Sequence, residues 1–163
     1  MTYFIGTSGE EVEVLQTTVF NNEIYAVTRN NGIRKGDLNN PFLYDFSQWQ
    51  TFDNGSWTGI VTFNNQLVAQ NSNARTYRHN GTSFVEILNT IQNATKFKAT
   101  NEYIIITTPN HVFVLNSSLV QQAHITNIPD FNVTFTAATI VNENLCIGTA
   151  KFGVFTAQIT NLT

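Results

Sequence analysis

The side chains of this chain that could do chemistry are few and scattered. It has three histidines and a single cysteine. His79, His111 and His124 stand apart in the sequence and fall at unrelated points of the local pattern, so their convergence on a metal ion is not expected. Cys146 excludes an intrachain disulfide and a cysteine-based zinc site. Flanked by Leu145 and Ile147, it reads as a small buried strand residue. The stretch Thr51-Phe52-Asp53-Asn54-Gly55-Ser56-Trp57 is close to the Asp box of sialidase propellers, with its Trp one residue early, and that box stabilises a turn rather than performing catalysis. Glycosidase chemistry needs a carboxylate pair or its equivalent at a pocket. Sialidases add an arginine cluster, and Arg29, Arg34, Arg75 and Arg78 are the only arginines available. No Gly-x-Ser-x-Gly elbow, phosphate loop, His-Glu-x-x-His or calcium loop occurs. The expectation is no catalytic residue, no metal ligand set and no cofactor. Trp49 and Trp57 remain as contact candidates, because an exposed Trp anchors interfaces. Trp57 alternates with Gly59, Val61 and Phe63, the pattern of a packed strand residue.

The elements that would position such residues are strands. Only 12% of residues are charged, about half the usual share, while Asn, Thr and 13 Phe favour turns and strands. A formal charge of −3 with no basic run gives no attraction to nucleic acid or to an anionic membrane surface. No apolar run approaches the ~20 residues of a membrane helix. Met1 to Gly6 lacks the basic and apolar segments of a signal peptide, so an exported protein would carry its signal upstream. The Asn-x-Ser/Thr triplets are no more numerous than so Asn- and Thr-rich a composition produces.

A repeat organises the chain. Thr18-Val-Phe-Asn-Asn-Glu-Ile-Tyr-Ala-Val-Thr28, Val61-Thr-Phe-Asn-Asn-Gln-Leu-Val-Ala69, Phe97-Lys-Ala-Thr-Asn-Glu-Tyr-Ile-Ile-Ile-Thr107 and Thr139-Ile-Val-Asn-Glu-Asn-Leu-Cys-Ile-Gly-Thr149 share strand, tight turn and strand. Asn tolerates the positive φ that a two-residue hairpin loop demands. Hairpins are therefore expected at Asn21-Asn22, Asn64-Asn65, Thr100-Asn101 and Asn142 to Asn144, placing Ile24, Leu67, Ile104 and Leu145 in equivalent strands. Further strands are expected over Phe46 to Phe52, Ser83 to Leu88 and Leu119 to Ile125, and no α-helix. The units run approximately over residues 14–53, 57–90, 94–128 and 132–163, with 3–9 a partial unit. Each four-stranded antiparallel unit must bury its faces on a neighbour. A β-sandwich also uses short strands, yet it does not require a ~40-residue repeat. The fold class expected is all-β: β-propeller blades, part of a larger ring.

Ile24 to Ile33 and, more closely, Leu145-Cys-Ile-Gly-Thr-Ala-Lys-Phe-Gly-Val154 resemble the propeller repeat of bacterial two-component regulators, apolar-aromatic-x-Gly-Thr-x-x-Gly-apolar. Phe4-Ile-Gly-Thr-Ser-Gly9 carries the same start. Val27 departs from it, and the middle two units lack both glycines. Across most of the chain, the Asn-Asn hairpins, Phe46-Ser-Gln-Trp-Gln50 and Gly55-Ser-Trp-Thr-Gly59 are similar to the N-terminal propeller region of PorZ-like proteins of the Bacteroidetes type IX secretion system. That resemblance implies a non-enzymatic scaffold, exported to the outer-membrane surface or periplasm. The partners it implies are proteins of a cell-surface secretion complex, with a glycan or lipopolysaccharide as a further ligand. The alternatives are a glycan-sensing propeller of a hybrid two-component regulator and a fragment of a glycoside-acting enzyme. Open blade flanks and strand edges lead to the expectation that the chain self-associates, unless Tyr3 to Thr7 pairs with the fourth unit and closes a small ring.

Overall fold

The structure is a computed structural model and describes residues 3–161. It divides into two compact units, the first taking residues up to 72 and 76–86, the second 73–75 and 87 onward. The first holds the sheet β1 (Val14–Phe20), β2 (Glu23–Thr28), β3 (Ile33–Asp37) and β4 (Gln50–Asp53). It also holds most of the sheet β5 (Trp57–Phe63), β6 (Gln66–Asn71), β7 (Arg75–His79) and β8 (Phe84–Asn89). The second contains β9 (Lys96–Ala99), β10 (Ile104–Thr107), β11 (Val112–Leu115) and β12 (Gln121–Ile125), followed by β13 (Phe135–Val141), β14 (Asn144–Thr149) and β15 (Val154–Gln158). Each sheet is an antiparallel meander in sequence order. Among the described residues there is no α-helix and there are two single 3-10 turns.

The turn chemistry explains the meander. Asn21 and Asn22 have φ of 49° and 63°, Asn64 and Asn65 45° and 57°, Asn142 and Glu143 48° and 63°. Both central residues at positive φ define the type I′ loop, whose twist matches that of the strands it joins. The third hairpin forms at the expected place, with a different loop. Residues 100–103 form a longer loop closed by Thr100 N–H donating to Tyr103 O at 2.8 Å, without positive φ. A second device recurs at the next turn. Thr28 N–H and Thr149 N–H each donate at 2.9 Å to the carbonyls of Gly32 and Gly153, while their hydroxyls bond the same carbonyls. Gly32 lies at φ 64°, and a Cβ there would sit 2.0 Å from the Asp53 carbonyl oxygen. In the glycine-free third unit Thr108 does the same work for His111, at 2.8 Å.

A bulge repeats as well. The first strands of three sheets, β1, β5 and β13, each shift register once, between Val14 and Gln16, Trp57 and Gly59, and Phe135 and Ala137. All three bulges lie at the same distance before the Asn turn, so the bulge is a recurring feature of the unit.

Alternation along the strands then makes the cores. In the first unit Tyr25 and Val27 pack with Trp57, Ile60, Leu67 and Ala69. β1 is tied to β5 where the Thr18 and Thr62 hydroxyls meet at 3.0 Å. In the second, Ile105, Val112 and Val114 pack with Phe135, Leu145 and Ile147. Each fully buried aliphatic side chain contributes about 1.5–3 kcal/mol. Three expectations change. Residues Phe46–Gln48 form a 3-10 turn and β4 begins only at Gln50. Cys146 is half-buried on the far face of β14, because the burying residues are its neighbours Leu145 and Ile147. Tyr3 to Thr7 forms no strand: Ile5 is buried with Ala26, Leu43 and Trp49, so this segment covers the first sheet instead of completing the fourth.

Candidate interaction surface

The connection between β3 and β4 distinguishes the first sheet. Residues 38–49 cross the face of β2 carried by Ile24 and Ala26, and Leu43 and Trp49 plug into it. Gly36 makes room, since a Cβ there would meet the Leu43 side chain at 2.5 Å. The loop is tightly bonded. Asp37, Asn40 and Asp45 each accept, at 2.9 Å, the N–H two residues on, from Asn39, Phe42 and Ser47. The Asn40 amide donates to Gln48 Oε1 at 2.7 Å, and Trp49 Nε1–H donates to the Leu43 carbonyl at 2.7 Å. Beneath it, the buried Arg34 guanidinium donates to Ile5 O at 3.0 Å, to Trp49 O at 2.8 Å and to Thr51 Oγ1.

This scaffold holds aromatic rings in solvent. Phe42 is 56% exposed, Tyr44, Phe46 and Phe4 are exposed too, and the Phe42 and Tyr44 rings meet edge to face at 6.2 Å. A shallow pocket of about 410 Å³ is lined by Phe4, Ser8, Gly9, Tyr44, Asp45 and Phe46. The neighbouring turn is ordered by Glu10, whose carboxylate accepts the Ser8 N–H at 2.7 Å and the Asn31 amide at 2.8 Å. Backbone N–H groups, its own and that of Ser8, hold its pKa at about 2. Contiguous exposed rings on a rigid support mark a contact surface.

Neither tryptophan is part of that surface: Trp49 and Trp57 are each 7% exposed. Trp49 anchors the loop from below. Trp57 packs on Tyr77 and Phe84, and its indole N–H donates to Asp53 Oδ1 at 2.7 Å, as does the Gly55 N–H at 2.7 Å. The Asp-box-like stretch is thus a turn clamp. His79 packs among Phe52 and Phe84 in the first unit, whereas His111 and His124 pair in the second. Arg29 forms an ion pair with Glu13, and Arg34 is buried, so neither belongs to an exposed arginine cluster. Among the described residues no three His, Cys, Asp or Glu side chains gather as a metal site. Phe42, Tyr44 and Phe46 were not singled out by sequence. Their signal is a long, apolar connection where the other outer turns are short.

The four repeated antiparallel sheets, with recurrent turns and bulges, define a β-propeller-type protein. No family model matches the sequence, and no curated protein does. Solved structures do. PorZ of Porphyromonas gingivalis, described as an essential bacterial surface component of the type IX secretion system, superposes with a TM-score of 0.74 at 11% identity over 97% of this chain. The extracellular domain of a putative hybrid two-component system from B. thetaiotaomicron superposes with a TM-score of 0.73 at 11% identity over 99%. The chain spans only 23% and 24% of those two proteins. The computationally designed protein Ika4 is matched along 98% of its length, with a TM-score of 0.64 and 9% identity. At such identities the likeness is one of fold. Among the described residues, no helix is long and apolar enough to cross a membrane.

Proposed function

We propose that this chain is a non-enzymatic β-propeller interaction module of an exported cell-surface protein serving type IX secretion. The observation that carries the reading is the 38–49 loop, which presents Phe42, Tyr44 and Phe46 to solvent on a scaffold fixed by its own hydrogen bonds. Exposed rings are costly in water and are retained where a partner covers them. A preordered loop loses little entropy on binding, so the apolar contact is converted into affinity. The likeness to a surface component of that secretion system supports this setting. The pocket beside the loop carries a single carboxylate, Asp45, whereas glycoside cleavage uses two.

The same pocket favours a second reading, a glycan-binding sensor propeller. Aromatic faces beside one carboxylate suit a sugar ring, and the likeness to a two-component extracellular domain agrees. One experiment separates the two. The chain and its Phe42→Ala/Tyr44→Ala variant are displayed in a type-IX-secreting bacterium, crosslinked, and also applied to a glycan array. Crosslinks to secretion-system surface proteins that vanish in the variant support the first reading. Glycan binding that needs Tyr44, without such crosslinks, supports the second. Retention of all binding by the variant refutes both.

A further inference from the structure

The second unit carries a pair of side chains that the interaction surface does not use. His111 immediately precedes β11, and His124 lies on β12 opposite Phe113. His111 and Phe113 point to the same face of the sheet, since side chains alternate. His124 shares that face, and His111 Nδ1 comes within 3.0 Å of His124 Nε2. Both rings are held. The His111 backbone is clamped at both groups by Thr108, its N–H donating to Thr108 Oγ1 at 2.9 Å and its carbonyl accepting the Thr108 N–H at 2.8 Å. The His124 ring stacks on the buried Phe113 ring with centroids 4.1 Å apart and 14° between planes. His124 nevertheless remains exposed along one side.

The spacing has a chemical meaning. Imidazole nitrogens bind divalent transition metals at about 2.0–2.1 Å, so two donors in adjacent positions of a square-planar or octahedral shell stand about 2.9 Å apart. A pair already held at 3.0 Å has that spacing, and the rings need to tilt only until both lone pairs converge on the ion. We propose that His111 and His124 form a bidentate site for a divalent transition-metal ion, with Cu(II) the preferred occupant. Binding replaces the N–H···N hydrogen bond: the donor ring gives up the shared proton and takes one at its other ring nitrogen, so both imidazoles stay neutral and both lone pairs turn to the metal. Imidazole donors favour Cu(II), Ni(II) and Zn(II), and Cu(II) stands highest in the general affinity order. No His, Cys, Asp or Glu completes a triad among the described residues, so water fills the remaining positions and the ion exchanges readily.

The test is a titration of the full chain with Cu(II) in a competing glycine buffer, followed by calorimetry and electron paramagnetic resonance. Wild type is compared with His111→Asn, His124→Asn, the double variant and His79→Asn, whose fold is checked by circular dichroism. His79→Asn is expected to match wild type, because that ring belongs to the first unit. Each of the other single changes is expected to weaken binding at least tenfold. The wild-type spectrum is expected to show splitting from two imidazole nitrogens, lost in the double variant. Equal affinity in wild type and double variant, or a spectrum without two imidazole donors, overturns the proposal.

Discussion

Arg34 is the residue on which the exposed loop depends most. It is 4% exposed, and its guanidinium donates to two backbone carbonyls, Ile5 O and Trp49 O, and to the Thr51 hydroxyl. These three acceptors belong to the N-terminal segment, the end of the 38–49 loop and β4. Replacing Arg34 with Met keeps most of the packing volume and removes every donor. Two buried carbonyls then lose their partner, at about 1–3 kcal/mol each. Part of that loss is offset, because the guanidinium no longer has to be desolvated. Burial already pushes its pKa below the usual guanidinium value, against the opposing charge of Glu10. The net expectation is a destabilisation of about 2–4 kcal/mol. Arg34→Lys keeps the charge but presents a point donor in place of the planar fork, so it should recover only part of the loss. Urea unfolding followed by tryptophan fluorescence suits the question, since Trp49 and Trp57 both lie in the first unit. Arg34→Met within 0.5 kcal/mol of wild type, or Arg34→Lys fully restoring stability, would refute the clamp.

Other consequences are also testable. Asp53→Ala should cost about 1–3 kcal/mol by orphaning the Trp57 indole N–H, while Asp53→Asn, which retains a carbonyl acceptor, should cost less in the same unfolding assay. The pKa values of His79 and His124 are lowered, in each case chiefly by burial, with His111 adding to the effect at His124 and Asp53 opposing it at His79. The unfolded chain therefore takes up these protons first, so stability is fully present above pH ~6.5 and declines as the pH falls below it. Melting temperatures at pH 7.5 and 5.5 should differ accordingly, and the His79→Asn/His124→Asn variant should flatten that difference. Self-association is expected through β15, an edge strand of its sheet among the described residues, where Val154 is 67% exposed. Light scattering during size exclusion should show dimers that Val154→Lys dissociates; a clean 18.3 kDa monomer at high concentration would count against it.

The sequence by itself determined the local architecture. Asn21-Asn22 and Asn64-Asn65 specify their turns because positive φ is a property of the residue and its immediate backbone. Alternation told correctly that Trp57 packs, and the period of about forty residues carried the propeller reading. Thr28, Thr108 and Thr149 show where local reading stopped short. Their shared hydrogen bond closes the turn with or without a glycine, and only the fold reveals that Thr108 and His111 belong to the same device. Equally invisible was the role of residues 38–49. Phe42, Leu43, Tyr44 and Phe46 are neighbours of like character, yet Leu43 is buried and the three rings are not. That partition depends on Ile5, Gly36 and Arg34, which approach the loop through folding and not through sequence proximity. The His111 and His124 pair was decided in the same way. The two stand thirteen positions apart in the sequence, and the β11–β12 register closes that gap to one hydrogen bond. Sequence fixes conformations that a few adjacent residues can choose alone; the surface and the imidazole pair arise from long-range packing, which sets which side chains meet.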